Sequence, residues 1–128
     1  VALISHIPVL ISAALICAVG EERNPVVREL AQKLASSGFA DTSRVGGGNP
    51  ILGTAMAENN SSSILNGLAT YRWSLEQLES AIIEGNWSAL TQGLEKAKSL
   101  RPSFLNSLSK PTQNLIESPS EPSIGEKL

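Results

Sequence analysis

An all-α domain that pairs with a copy of itself is what this chain predicts, and three features of the sequence carry the prediction. Apolar residues recur at helical spacing over most of residues 1–106. Two Asn-Pro dipeptides mark helix starts, and no segment alternates apolar with polar residues between turn signals as a half-buried strand would. The length of 128 residues with 41% hydrophobic side chains suits one globular domain.

Residues 1–19 (VALISHIPVLISAALICAV) carry no formal charge apart from whatever His6 holds, so a long N-terminal helix is expected, ended by Gly20 as a C-cap residue. A run of about 18 uncharged apolar residues also meets the length needed to cross a bilayer. Ser5, His6, Pro8 and Ser12 within the run, no basic flank before it, and Glu21 and Glu22 directly after it favour a helix buried in a larger assembly. The start at Val1 rather than methionine reads as a cut. Pro8 lacks an amide hydrogen, which frees the carbonyl of Ile4 and predicts a kink with a polar niche at Ser5 and His6.

Asn24-Pro25 supplies an N-cap and a proline at the first helical position, and Val26, Val27, Leu30, Ala31 and Leu34 follow at helical spacing, with Gly38 as the stop. Phe39 to Asn49 (FADTSRVGGGN) has neither periodicity and holds three consecutive glycines, so a loop is expected there. Asn49-Pro50 repeats the start signal for a short helix through Ile51, Leu52, Ala55 and Met56. The strongest pattern is a heptad seam through Ile64, Leu68, Tyr71, Leu75, Leu78 and Ile82, which predicts one long helix over 61–84. Gly85-Asn86 breaks it, and Trp87, Leu90, Leu94 and Ala97 resume the spacing until Pro102, so a heptad-like antiparallel hairpin follows. From residue 107 on, SLSKPTQNLIESPSEPSIGEKL is rich in serine and proline and cannot bury enough surface to offset its ordering entropy. The expected division is therefore a domain over 1–106 and a disordered tail over 107–128.

Composition narrows the function. With 4% aromatic residues and a net charge of −2, no basic field is available for nucleic acid. The single Cys17 lies in an apolar run and reads as a buried small hydrophobe in a reducing, cytoplasmic setting, with no disulfide within the chain. One histidine and one cysteine do not make a zinc site, so no metal is expected. The first helix and the 61–84 helix carry more apolar surface than a bundle of this size covers, which predicts a homodimer.

Two places could carry chemistry. His6, beside Ser5, reads either as a core histidine satisfied by a neighbouring carbonyl or as a ligand for a polar substrate group. Arg44, near Asp41, Thr42 and Ser43, reads either as a surface partner of Asp41 or as a carboxylate binder, since its planar fork of donors matches two carboxylate oxygens. Gly46-Gly47-Gly48 lacks the spacing, the preceding strand and the Lys-Ser/Thr pair of phosphate loops. Ser61-Ser62-Ser63 reads as a supply of N-caps, and no motif provides a nucleophile for the lone histidine.

S-H-I-P at 5–8, G-F-A-D-T-S-R at 38–44 and N-P at 49–50 before a long helix together resemble the C-terminal domain of prephenate and arogenate dehydrogenases. The likeness covers roughly residues 1–105, and G-G-G-N-P-I-L-G at 46–53 is most similar to cyanobacterial arogenate-preferring members. The resemblance implies a helical dimerisation fold like the C-terminal domain of 6-phosphogluconate dehydrogenase. It further implies part of a cytoplasmic, non-membrane, NAD(P)-dependent enzyme of tyrosine biosynthesis that oxidatively decarboxylates arogenate or prephenate, with NADP the family-based expectation. Nucleotide and catalytic histidine would belong to an N-terminal Rossmann domain absent from this chain, so no catalytic residue is expected here and the fragment alone should be inactive. Carried over by motif, Arg44 would bind a substrate carboxylate, His6 would line the substrate pocket, and Asp41 would join the polar network at its mouth. Two positions depart from many relatives: Val9 stands where a second histidine is common, and Gly53 where a tryptophan is. Arogenate is the expected preference. The alternative is a helical homodimerisation module without catalytic duty.

Overall fold

A computed structural model of the chain describes residues 1–106, and every regular element among them is helical. The tail expected over 107–128 lies outside the described residues. A π-helical turn, Ala2–His6, leads into α1 (Ile7–Gly20), followed by α2 (Pro25–Leu34), α3 (Ser37–Ser43), α4 (Pro50–Asn59), α5 (Ser61–Ile83) and α6 (Trp87–Leu105).

The kink expected at Pro8 takes the form of this π-turn. The Ile7 amide reaches back five residues to the Ala2 carbonyl, widening the turn just before the proline that cannot donate. Local caps set the next boundaries: Asn24 Oδ1 accepts from the amides of Val26 (3.0 Å) and Val27 (3.4 Å), and Asn49 Oδ1 from those of Ile51 (2.9 Å) and Leu52 (3.3 Å). At the hairpin Gly85 takes φ +63°, its amide bonds the Ile82 carbonyl at 3.1 Å, and the Asn86 amide bonds the Ala81 carbonyl at 2.8 Å. That pair of bonds is a Schellman motif, and only glycine enters its left-handed position without strain. Asn86 Oδ1 then caps α6 by accepting from the Ala89 amide at 3.0 Å.

Three boundaries differ from those expected. The second helix stops at Leu34 rather than Gly38, because Ser36 is extended (φ −107°, ψ −178°). The first part of the expected loop, residues 39–43, belongs instead to the short helix α3, which rests on α1. Packing of that kind stabilises a helix too short to persist alone. Finally, α6 runs through Pro102 to Leu105: the lost bond would have gone to an exposed turn, and the ladder resumes with the Asn106 amide on the Pro102 carbonyl at 3.1 Å.

The core sits where the first helix crosses α5. Ile7 (2% exposed) and Ile64 (4%) are both buried, and Ile7 packs against Gly67, whose missing side chain makes the crossing possible. A Cβ on Gly67 would collide with Ile7 Cδ1 and lie 3.5 Å from Leu3 Cγ. Farther along α5, Ala81 is buried while Leu75 and Ile82 of the expected seam stay half exposed, so the buried line runs to one side of that seam. Much of the remaining apolar surface is uncovered, including Val26, Leu30 and Leu34 on α2 and Trp87, Leu94 and Phe104 on α6. Cys17, expected to be buried, is exposed. The first helix is apolar all round, and one chain covers only the side that carries Ile7 and Ser12. By length and composition alone Ala2–Gly20 could cross a bilayer.

Candidate functional site

His6 closes the π-turn and occupies the N-cap position of α1, half-buried. Asn60 Nδ2 lies 3.1 Å from His6 Nδ1, across 54 residues of sequence. An amide nitrogen only donates, so Nδ1 accepts and the ring proton belongs on Nε2. The partner of His6 is therefore a side-chain amide rather than a neighbouring carbonyl.

Asn60 is a site residue that sequence reasoning missed. It holds the N-cap position of α5, yet makes no side-chain cap bond, and the three serines expected to supply caps lie inside the first turn instead. Giving up such a cap costs a helix about 1 kcal/mol. The available signal was an asparagine at the head of a long helix in a chain where asparagine caps three other helices.

Arg44 and Asp41 lie on the exposed side of α3, Arg44 at its C-cap position. The surface pairing with Asp41, one of the two readings of Arg44, does not form: among the described residues the one ion pair is Glu29–Lys33 at 2.6 Å. The Arg44 guanidinium has no hydrogen-bond acceptor among the described residues and keeps its fork of donors available.

The segment after Arg44 is fastened to α1. The Gly46 amide donates to Ser12 Oγ at 2.8 Å, and Ser12 is 1% exposed. A Cβ on Gly46 would stand 2.5 Å from the Ser12 carbonyl carbon and 2.7 Å from its Oγ, so only glycine fits. This anchors the Arg44 segment to the helix that begins beside His6, six residues before Ser12, a rise of about 9 Å. Among the described residues no hydrogen bond or ion pair joins Arg44 or Asp41 directly to His6.

Beside this anchor is a hollow of about 340 Å³ between α1 and α4, lined among others by Val9, Leu10, Gly46, Gly53 and Ala57. Val9 and Gly53, the two positions singled out in the sequence, thus share one cavity.

The glycine triplet does not fit a nucleotide. Gly46 is used in packing on α1, no strand precedes the triplet among the described residues, and Gly85 is the one described residue with positive φ. A phosphate cradle of the usual glycine-rich kind needs that strand-to-helix turn and backbone amides free to face the ligand. No group of three or more potential metal ligands occurs among the described residues.

The described residues thus form an all-helical domain with an uncovered apolar surface and, among them, no nucleotide cradle. The chain belongs to the prephenate dehydrogenase dimerization-domain family, whose model matches residues 1–96. Among solved structures, the crystal structure of Synechocystis arogenate dehydrogenase is similar, with 49% sequence identity and a TM-score of 0.79. The match covers 81% of this chain and 37% of that one, so the chain spans little more than a third of that relative. Against curated protein sequences the chain has no significant match.

Proposed function

We propose that this chain is the substrate-contacting, dimer-forming half of an NADP-dependent arogenate dehydrogenase. In the whole protein a hydride would pass from the ring carbinol carbon of arogenate to the nicotinamide, the ring carboxylate would leave as carbon dioxide, and tyrosine would form. Since the described residues offer the nucleotide no cradle, their own part would be binding and orientation. Arg44 would grip a substrate carboxylate through two parallel charge-assisted bonds. His6 would donate from Nε2 to a substrate oxygen, and Asp41 would belong to the polar mouth.

The observation that carries this reading is the anchoring of the Arg44 segment on α1 by Gly46 and Ser12, which fastens both motifs to one helix. The 49% identity with an arogenate dehydrogenase supports the arogenate preference.

We further propose that a second copy covers the uncovered apolar helices. Part-buried bonds from the first helix to Gly46 and Asn60 support its place in a folded domain rather than in a bilayer. The test is NADP reduction on adding arogenate to the protein that carries this chain, with no reduction by the 128-residue chain alone. Failure of the larger protein to oxidise arogenate would end the proposal.

A further inference from the structure

The four asparagines at helix N-caps do not behave alike. Asn24, Asn49 and Asn86 turn their Oδ1 atoms onto the first-turn amides of their own helices, as an N-cap asparagine ordinarily does. Asn60 makes no such bond and directs its amide at His6. Its backbone is tied on both sides, with the Asn60 amide on the Ala57 carbonyl at 3.3 Å and the amide of buried Ile64 on the Asn60 carbonyl at 3.0 Å. His6 is equally constrained, between the π-turn and Pro8. Two residues with fixed backbones therefore meet through one half-buried hydrogen bond, where a donor and an acceptor cannot be exchanged freely for water.

We propose that Asn60 is a positioning residue that fixes the tautomer of His6, keeping Nδ1 as an acceptor so that the Nε2 proton is offered as a neutral donor to a substrate oxygen. The proposal rests on the reading of His6 as a substrate contact. Which ring nitrogen carries the proton is set by the bond the other one makes, and an amide nitrogen at Nδ1 allows one answer. An imidazole with the opposite tautomer would present a bare Nε2 lone pair to a substrate carboxylate, which has only lone pairs to offer and is repelled rather than bound.

His6 is the only histidine in the chain, so long-range proton–nitrogen spectra of the 128-residue protein report its ring without ambiguity. The expected result is an unprotonated Nδ1 and a protonated Nε2. Asn60→Asp, whose carboxylate caps a helix as well as asparagine does, should move the proton to Nδ1 with helicity unchanged. Asn60→Ala should give a mixture of tautomers. A wild-type ring protonated at Nδ1, or ring signals indifferent to both substitutions, overturns the proposal.

Kinetics on the enzyme that carries this chain separate the two readings. Asn60→Asp should raise KM for the ring substrate at least tenfold with little change in kcat. If His6→Ala raises KM and Asn60→Asp does not, the positioning role fails while the substrate contact stands. If the tautomer switches and neither variant affects KM, the functional role of the pair fails along with the reading of His6.

Discussion

The Gly46 amide and Ser12 Oγ are 2.8 Å apart, with no room between their backbones for a Cβ. Gly46→Ala must push the Arg44 segment off α1. By the cost of overpacking, the change should destabilise the domain by about 1–3 kcal/mol. On the proposed function it should also raise KM for the ring substrate, because Arg44 moves with the segment. Thermal melts and steady-state kinetics check the two effects. Unchanged melting and KM would show that the contact positions nothing.

A second contact of this kind holds the core. Gly67→Ala drives a methyl into Ile7 Cδ1 and should cost about 1–3 kcal/mol. Ile7→Val removes the colliding atom at a separate cost of about 0.5–1.5 kcal/mol. The double variant should therefore be more stable in urea than the sum of the single changes predicts, with a favourable coupling of about 0.5–3 kcal/mol. Strict additivity would contradict the crossing described here.

Val9 and Gly53 line one hollow, so substitutions there should not act independently. In the proposed enzyme Val9→His and Gly53→Trp together should shift the ratio of kcat/KM for prephenate over arogenate upward. The joint change should depart from the product of the single changes. Independent effects would separate the hollow from substrate selection.

Leu75 and Ile82 are half exposed and seven residues apart on α5, which puts them on the same side of the helix. Leu75→Glu with Ile82→Glu should convert the proposed dimer to monomer in analytical ultracentrifugation while far-ultraviolet circular dichroism stays unchanged. A wild-type chain that sediments as a monomer would remove the basis of this expectation.

Features that depend on a few neighbouring residues were legible in the sequence. The caps at Asn24 and Asn49 and the turn at Gly85 are of this kind, because each is satisfied within a few positions along the chain. The short α3 was not legible: it contains Gly38, has little periodicity and gains its support from α1, a tertiary effect. The exposure of Cys17 follows from how little of the first helix a single chain covers, which composition does not reveal. At the site, His6 and Arg44 stood out through their motifs. Their supports, Asn60 and Ser12, are 54 and 34 residues from the groups they bond, beyond any local pattern.

In the proposed function Arg44 binds substrate from this helical half. The direct measurement is KM for arogenate in the proposed NADP-dependent reaction of the protein that carries the chain, compared between wild type and Arg44→Ala. A charge-assisted contact of about 1.5–3 kcal/mol predicts a rise of roughly 10- to 150-fold. Stability should change by less than about 0.5 kcal/mol, because the side chain is exposed. Wild-type kcat/KM should also be higher for arogenate than for prephenate. An unchanged KM in Arg44→Ala, at wild-type stability, would contradict the binding role of Arg44.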